Sequence, residues 1–403
     1  MKRLLITALL LTALTVVQAQ STTFARGADI SWCTEMEADG QKFYNVDGIE
    51  TDIFAMMKEI GMSAIRLRVW VNPTKYGYGA WCDKADVIVK AKRAHEQGLD
   101  LMIDFHYSDF FADPKRQDIP LEWKDYDLEQ LKTAVADHTK DVLQALKDEG
   151  IEPKWVQVGN ETNGGMMWEN GQIDWNKSGK ARYANYVSLS NAGYDAVKEI
   201  LPDAYVIVHI ADAFKAADYQ GWFYKEFKET GGKFDMIGLS HYPDWTDWDS
   251  DKSDAASNKN AANSVKTLGD LFNVPVMIVE TGFSSYDPTK GAEVMTDLFS
   301  LTKDLPQCAG IFYWEPETDG EWKPAYYDTL GWNAYEMGAF TTDGKPTIIL
   351  DAFKDETTGI ANIITETNIP AKWYDLQGRE LSAPSKGLFI MKKGGTTRKV
   401  FIP

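Results

Sequence analysis

Two stretches of the sequence, Lys154-Trp-Val-Gln-Val-Gly-Asn-Glu161 and Val274-Pro-Val-Met-Ile-Val-Glu280, carry most of the information about the fold. Each is a short apolar run rich in β-branched residues, which is typical of a buried strand, and each ends in a glutamate. In a closed (β/α)8 barrel the C-terminal ends of all strands meet at one mouth, where active-site residues gather. Glu161 and Glu280 are therefore predicted to face each other across such a mouth.

Similar runs recur along the chain and predict eight strands, each bounded by Gly, Pro, Asp or Asn. They are Phe24–Trp32, Ser63–Trp70, Asp100–Tyr107, Lys154–Glu161, Ala204–Ile210, Met236–Tyr242, Val274–Thr281 and Ala309–Pro316. Segments with helical periodicity lie between them, for example Ala85–Gln97, Leu128–Glu149 and Arg182–Ile200. Alternating strands and helices predict an α/β fold, a (β/α)8 TIM barrel. An open doubly wound sheet is the alternative, but no Gly-rich phosphate loop follows the first run.

The chain of 403 residues is predicted to have three parts. Residues 1–19 combine a basic start, an apolar stretch and the small-residue sequence Val17-Gln18-Ala19, which is typical of a signal peptide. Residues 20–355 would form the barrel. Residues 356–403 would form a linker and a small β-rich C-terminal module, because short strand-like runs follow Trp373. We expect an exported protein that is periplasmic, held at the cell surface or secreted.

The composition excludes several classes of function. A formal net charge of −18 argues against nucleic acid and anionic lipid as partners and is compatible with a neutral substrate. The apolar stretch near the N-terminus is too short for a membrane span. The three cysteines, Cys33, Cys82 and Cys308, show no Cys-x-x-Cys spacing, so neither a zinc site nor a redox site is predicted.

The two glutamates suggest acid–base and nucleophilic chemistry on a sugar, because a pair of carboxylates performs glycoside hydrolysis. Asn160, directly before Glu161, could bind the sugar 2-hydroxyl, while Glu161 would need a raised pKa to act as an acid. Glu280 would need to be ionised, held so by an arginine or a tyrosine. Tyr242 is one candidate. Arg66 and Arg68 both alternate with apolar residues, and we favour Arg66 for the site, with an ion pair of purely structural role as the alternative.

Histidines and aromatic residues add further candidates. His106, His209 and His241 occur at predicted strand ends on the same face, and their spacing matches no metal-binding pattern. Trp314 ends the last strand and could stack on a pyranose ring, with core packing as the alternative. Aromatic residues in the loops after strands predict a lined groove. These are Trp70, Trp81, Phe110, Phe111, Trp168, Trp245 and Trp248.

Taken together, the motifs resemble glycoside hydrolase family 53, the arabinogalactan endo-β-1,4-galactanases, over about residues 24–355. In chain order they are Arg26-Gly-Ala-Asp-Ile-Ser31, Ile65-Arg-Leu-Arg-Val-Trp-Val-Asn-Pro73, Asp104-Phe-His-Tyr-Ser-Asp109, Ala112-Asp-Pro114, Gly159-Asn-Glu161, Gly238-Leu-Ser-His-Tyr-Pro243, Val279-Glu-Thr281 and Tyr313-Trp-Glu-Pro316. Asn-Glu and the second glutamate alone indicate only the wider clan of retaining barrel glycosidases.

The resemblance implies a double displacement, with Glu161 as acid/base, Glu280 as nucleophile and carboxyl groups about 5 Å apart. The implied substrate is β-1,4-galactan of pectin or arabinogalactan. The implied substrate-binding residues are Arg66, His106, Asn160, His209, Asp212, Tyr242 and Trp314, with His209 and Asp212 as a strand-end pair that contacts substrate. No cofactor is required, and a monomer is expected.

The sequence departs from the family pattern in a few places. Phe111 stands where the family often has Trp, and His241 stands where Tyr is usual. The loop Glu317–Met337 is shorter than in bacterial relatives that hold calcium nearby, which argues against a structural calcium ion here. The segment from Trp373 is similar to C-terminal sorting modules of Bacteroidetes-type secreted proteins. Two alternatives stay open: another retaining endo-glycanase, such as a mannanase or cellulase, and a galactan-binding protein without catalysis.

Overall fold

The computed structural model describes residues 23–77, 79–215, 217–245 and 253–354, together with 372–374, 379–381, 387–393 and 396–402. Eight parallel strands close into a barrel in sequential order, so the TIM-barrel prediction is confirmed and the open sheet is wrong. The strands are β1 (Ala25–Asp29), β2 (Ala64–Val69), β3 (Asp100–Phe105), β4 (Trp155–Val158), β5 (Tyr205–Ile210), β6 (Met236–His241), β7 (Val276–Thr281) and β8 (Cys308–Trp314).

Helices surround the barrel, and side-chain caps fix where several of them begin. Asp83 and Asp127 each accept a backbone hydrogen bond at a helix start, and Asp127 forms a reciprocal capping box with Gln130. The helices are α1 (Cys33–Ala38), α2 (Ile53–Ile60), α3 (Lys84–Glu96), α4 (Leu128–Asp148), α5 (Lys180–Ile200), α6 (Ala217–Glu229), α7 (Asp254–Phe272), α8 (Pro288–Thr302) and α9 (Tyr326–Leu330).

The barrel interior is apolar at its lower end and polar towards the mouth. The lower end is a buried cluster of ten residues, in which Trp155 and Phe312 are the largest side chains. Further along β2 and β3 the inward positions are Arg66 and Asp104, both fully buried. The inward positions of these two strands thus change from apolar to charged residues along the strand, because residues two apart share a face.

A register shift next to β7 aims the second glutamate. Leu239 pairs with Ile278, but the next residue of β6, Ser240, pairs with Glu280, so Val279 is skipped. An extra residue of this kind re-aims the side chains that follow it. Val279 packs in the buried interior cluster while Glu280 lines the mouth. The bulge therefore brings Glu280 level with Ser240.

The C-terminal region contains a four-stranded antiparallel sheet, and its assignment as a separate small module stays a prediction. Its strands are β9 (Lys372–Tyr374), β10 (Glu380–Leu381), β11 (Gly387–Lys393) and β12 (Thr396–Ile402). The predicted signal peptide, 1–19, and most of the predicted linker lie outside the described residues. Cys33, Cys82 and Cys308 are buried free thiols. Within the described segments no helix combines the length and apolar character needed to cross a membrane.

Candidate active site

A cleft of about 960 Å³ opens at the C-terminal ends of the strands. Both glutamates predicted from the sequence reach it. The lining residues that matter most below are His106, Phe111, Asn160, Glu161, Asp212, Ser240, Tyr242, Glu280, Trp314, Tyr327, Trp332 and Tyr335. This is where the eight-stranded barrel places active sites in general.

Arg66, beneath the cleft, forms ion pairs with three carboxylates. Its Nη1 lies 2.6 Å from Asp29 Oδ2, and its Nη2 lies 2.8 Å from both Asp104 Oδ2 and Glu280 Oε1. Burial alone would lower its pKa, but these carboxylates outweigh burial and raise it. Arg66 also donates to Gln157 Oε1 at 2.8 Å. A guanidinium this fully paired is always charged and fixes the groups around it.

Glu280 is held in position from two sides. Arg66 contacts Oε1, and the Tyr242 hydroxyl donates to Oε2 at 3.1 Å. Burial raises the pKa of Glu280 to about 7, and the Arg66 charge opposes this rise. A carboxylate that is oriented, hydrogen-bonded and paired with a cation has the properties of a nucleophile.

Glu161 lies three residues beyond the end of β4, so the predicted strand Lys154–Glu161 is too long at this end. Its φ of 45° is in the left-handed region, which costs a non-glycine residue about 1–3 kcal/mol. Thr162 holds the turn by donating its N–H to the His209 carbonyl at 2.9 Å. Strain stored beside a cleft is typical of a functional position.

The surroundings of Glu161 keep it protonated. Burial raises its pKa well above the ordinary value, and the nearby Glu280 charge raises it further. No ion pair joins Glu161 to a cation in the part of the chain that the structure describes, whereas Glu280 has Arg66. The proton shared by the pair therefore sits on Glu161, which suits a general acid.

Asn160 and His106 lie in the cleft wall as predicted, each fixed by the protein. Asn160 accepts from Arg66 Nη2 at 2.9 Å and donates to the Ala112 carbonyl at 2.8 Å. His106 Nδ1 accepts from the Ala112 N–H at 2.9 Å, and its Nε2 lies 3.0 Å from Asp104 Oδ2. The protein therefore occupies both ring nitrogens of His106, while the second amide hydrogen of Asn160 can be donated to a substrate.

The other two histidines do not reach the cleft. His209 is completely buried, so the expectation that it contacts substrate is not supported; its ring lies beneath Glu161 and Ser240. His241 is also completely buried, and its Nε2 bonds Asn258 on α7 at 2.9 Å. It faces outwards because it lies between Ser240 and Tyr242, which face inwards. The His-for-Tyr departure therefore falls outside the site.

Asp212 and Trp314 line the cleft as predicted. Asp212 forms an ion pair with Lys215, a second lining residue. The Trp314 ring packs edge-on against Tyr335, with centroids 4.5 Å apart, and stays partly exposed. An exposed indole face at this place can stack on a sugar ring.

The prediction of an aromatic groove is only partly right. Phe111 lines the cleft, but Trp70 and Phe110 are buried in packing. Trp248 lies outside the described residues. Sequence reasoning misses Tyr327, Trp332 and Tyr335, which line the cleft from the loop after β8. The density of aromatic residues in that loop is a signal that could have identified them.

Metal binding finds no support in the described ranges, where no group of three or more His, Cys, Asp or Glu side chains is arranged to hold an ion. Whether calcium binds near the loop Glu317–Met337 stays a prediction. Hydrolysis by a pair of carboxylates requires no cofactor, because one carboxyl supplies the proton and the other the nucleophile.

Known proteins share both this sequence and this architecture. The sequence profile of Glycosyl hydrolase family 53 matches residues 25–353. The chain belongs to this family. It is similar to the arabinogalactan endo-β-1,4-galactanase of Cellvibrio japonicus, with 32% identity over 78% of this chain and 86% of the relative. It is also similar to the endo-β-1,4-galactanase of Bacillus subtilis, with 29% identity over 74% of this chain and 71% of the relative.

The barrel is also similar to a solved structure of a β-1,4-galactanase. One of two fungal β-1,4-galactanases superposes with a TM-score of 0.69 at 25% identity, over 82% of this chain and 99% of the fungal chain. The family match begins at the first residue of β1 and ends at residue 353. It therefore includes every element that contributes to the cleft. The protein is therefore a glycoside hydrolase with a TIM-barrel catalytic domain.

Proposed function

We propose that the protein is an endo-β-1,4-galactanase that hydrolyses internal β-1,4-galactosidic bonds of pectic (arabino)galactan with retention of configuration. The observation that carries the proposal is the pairing of Glu161 and Glu280 in one open cleft, with Arg66 on Glu280 alone. The named activities of the Cellvibrio japonicus and Bacillus subtilis relatives support the choice of galactan.

The geometry supports a two-step reaction. In the first step Glu280 attacks the anomeric carbon while Glu161 gives its proton to the departing glycosidic oxygen, which leaves a galactosyl ester on Glu280. In the second step Glu161, now ionised, takes a proton from water, and the water oxygen displaces Glu280. Two inversions at the anomeric carbon give net retention. Arg66 and the Tyr242 hydroxyl receive the carboxylate of Glu280 as it leaves.

The substrate is tested by incubating the protein with linear β-1,4-galactan beside cellulose, mannan and β-1,3-galactan, with products resolved by size. Oligosaccharides of several lengths from β-1,4-galactan alone are expected, because the cleft is open and an endo enzyme cuts within chains. Cleavage of mannan or cellulose instead would leave the glutamate pair in place and overturn the substrate.

A galactan-binding protein without catalysis is the second candidate. Glu161→Ala separates the two, because it removes the acid while leaving the cleft walls. We expect this variant to retain binding to β-1,4-galactan in affinity electrophoresis and to lose its hydrolysis. Equal binding by both proteins with no hydrolysis by either would favour the binding protein.

Export and oligomeric state are further parts of the proposal. The order of basic, apolar and small residues in 1–19 supports export after cleavage behind Ala19, to the periplasm, the cell surface or the medium. N-terminal sequencing of the mature protein would test this, with Gln20 expected as the first residue. A monomer is proposed, and light scattering of the purified protein would test it.

A further inference from the structure

Ser240 occupies a place between the two glutamates that the reaction above does not use. Its hydroxyl lies 3.4 Å from Glu280 Oε2, to which it donates, and 2.7 Å from His209 Nε2. The Glu161 carboxyl is near the same hydroxyl, and a hydrogen bond from Ser240 to an ionised Glu161 would lower the pKa of Glu161. Ser240 is nearly fully buried, with 1% of the residue exposed, but it lines the cleft. One hydroxyl proton is thus within reach of two carboxylates.

The direction of this proton follows from the tautomer of His209. The backbone N–H of Glu161 donates to His209 Nδ1 at 3.3 Å, and Gln157 Nε2 lies 3.0 Å from the same nitrogen. Asn160 Oδ1, also 3.0 Å away, already accepts from Arg66. With two donors aimed at it, Nδ1 is assigned as the acceptor, so Nε2 carries the hydrogen.

His209 is neutral, because burial and the Arg66 charge lower its pKa well below the usual range. Its Nε2–H therefore donates to the Ser240 oxygen at all working pH values. That bond occupies a lone pair of the hydroxyl and leaves its single hydrogen for a carboxylate. His209 in this way turns Ser240 into a permanent donor towards the cleft.

We propose that Ser240 is a positioning residue whose hydroxyl donates to whichever glutamate is ionised, to Glu280 in the free enzyme and to Glu161 in the covalent intermediate. Ser240 keeps its own proton throughout and only rotates about Cβ–Oγ. The proton of the reaction still passes between Glu161, the glycosidic oxygen and water. The inference rests on the retaining mechanism proposed above but does not depend on which sugar is cleaved.

Other charged or titratable groups surround the pair and stay unchanged in the test. They are Asp29 on β1, Arg66 on β2, Asp104 and His106 near β3, His209 on β5, Tyr242 after β6, and Asp113 and Asp212 in the loops. Arg66 and the Tyr242 hydroxyl both contact Glu280, whereas the Ser240 hydroxyl is the donor that we assign to both glutamates in turn.

The test is Ser240→Ala, compared with wild type in two pH profiles. In kcat/KM, the acid limb reports ionisation of Glu280 in the free enzyme and should move up by roughly 0.5 to 1 pH unit, because a donor to the anion lowers its pKa. The alkaline limb reports loss of the Glu161 proton. It should stay in place, because the single hydroxyl bonds one carboxylate both before and after that loss.

The second profile follows kcat on an aryl galacto-oligosaccharide with a good leaving group, for which breakdown of the intermediate limits the rate. Its acid limb reports Glu161 as the base and should also move up in Ser240→Ala. Ser240→Thr, which restores a hydroxyl, should return both acid limbs towards wild type. Ser190→Ala is the matched control, since Ser190 is equally buried, lies outside the cleft lining and should shift nothing.

Acid limbs that stay in place in folded Ser240→Ala, or acid and alkaline limbs that move together, would overturn the proposal. A wild type that cleaves mannan instead of galactan would refute the substrate, and the same profiles would then be measured on mannan. If Ser240→Ala does not fold, Ser240→Cys, a weaker donor of similar size, should give smaller shifts in the same direction. If the acid limbs of Ser240→Cys lie at the same pH as those of wild type, the positioning role of Ser240 would be contradicted.

Discussion

Two arginines on the same strand, Arg66 and Arg68, form two buried carboxylate centres of very different character. Arg66 binds Glu280, Asp29 and Asp104, and its centre opens into the cleft. Arg68 binds Glu315, and its guanidinium lies among aromatic rings, 4.8 Å from the centroid of Phe111 and 5.2 Å from that of Trp32. Both arginines are completely buried.

Each centre also has a second glutamate with a raised pKa. Burial raises the pKa of Glu161 in the first centre and of Glu317 in the second, and in each case the charge of the neighbouring glutamate adds to the rise. The decisive difference is access, since Glu161 and Glu280 line the cleft whereas Glu315 and Glu317 are at most 1% exposed. A glutamate with a raised pKa is therefore present in both centres and does not identify the reactive one. Contact with the cleft distinguishes the reactive centre from the closed one.

The strongest test of this contrast is to remove the nucleophile. Glu280→Ala should lower kcat on the cleaved polysaccharide by about 10⁴-fold or more, because the variant lacks the carboxylate that forms the covalent intermediate. Initial rates of reducing-end release measure the loss. A variant with rates near wild type would remove Glu280 from the mechanism.

The matched change in the closed centre is Glu315→Gln. It removes the carboxylate nearest to Arg68 and leaves only the longer contact with Asp29 Oδ1 at 4.0 Å, so the free energy of unfolding should fall by about 3 kcal/mol, as measured by urea denaturation. The kcat of the folded fraction should stay within about tenfold of wild type, since Glu315 does not border the cleft. Loss of kcat comparable to that of Glu280→Ala would erase the distinction between the two centres.

The open centre also predicts how activity depends on pH. Glu280 must be ionised and burial raises its pKa, so kcat/KM should fall about tenfold per pH unit below the lower apparent pKa of the pair. Glu161 must be protonated, so kcat/KM should also fall above its raised pKa. The two macroscopic values belong to the pair and not to either residue alone. A rate that keeps rising from neutral towards pH 4 would contradict this assignment.

In the closed centre the same kind of shift affects stability instead. Glu317 has a higher pKa folded than unfolded, so the folded state holds the extra proton. Its contribution is present below the unfolded value of about 4.3 and is lost as the pH rises towards the folded pKa. Glu317→Gln should remove this loss and raise the free energy of unfolding at pH 7 by about 1–2 kcal/mol. Urea denaturation of both proteins at pH 5 and pH 7 would check this prediction. An equal change in the free energy of unfolding between the two pH values in wild type and variant would contradict it.

Much of the fold is predictable because strand and helix periods are local properties of the sequence. The alternation of Arg66 and Arg68 with apolar residues correctly indicates that both point inwards. It does not show which one meets Glu280, because that depends on height within the barrel and on the register of β7. The skipped Val279, which aims Glu280, leaves no recognisable trace in the sequence.

Residues of the candidate site can be predicted where a family motif falls at the end of a predicted strand, as it does for Glu280, Asn160 and Trp314. The prediction for His241 is wrong about its face, although Ser240 and Tyr242 on either side of it indicate the alternation. The burial of His209 and the role of Ser240 depend on contacts between β4, β5 and β6, which are distant in sequence. Such contacts follow from closure of the barrel and not from any local pattern.

The most direct test of the central claim, that Glu161 and Glu280 form a retaining pair, is the configuration of the first product. Proton NMR recorded during the first minutes of hydrolysis of β-1,4-galactan would show the anomeric signal of the new reducing end before mutarotation. Initial appearance of the β-anomer is predicted, because two successive inversions restore the starting configuration. Initial appearance of the α-anomer would show direct attack by water and would contradict the role of Glu280 as nucleophile.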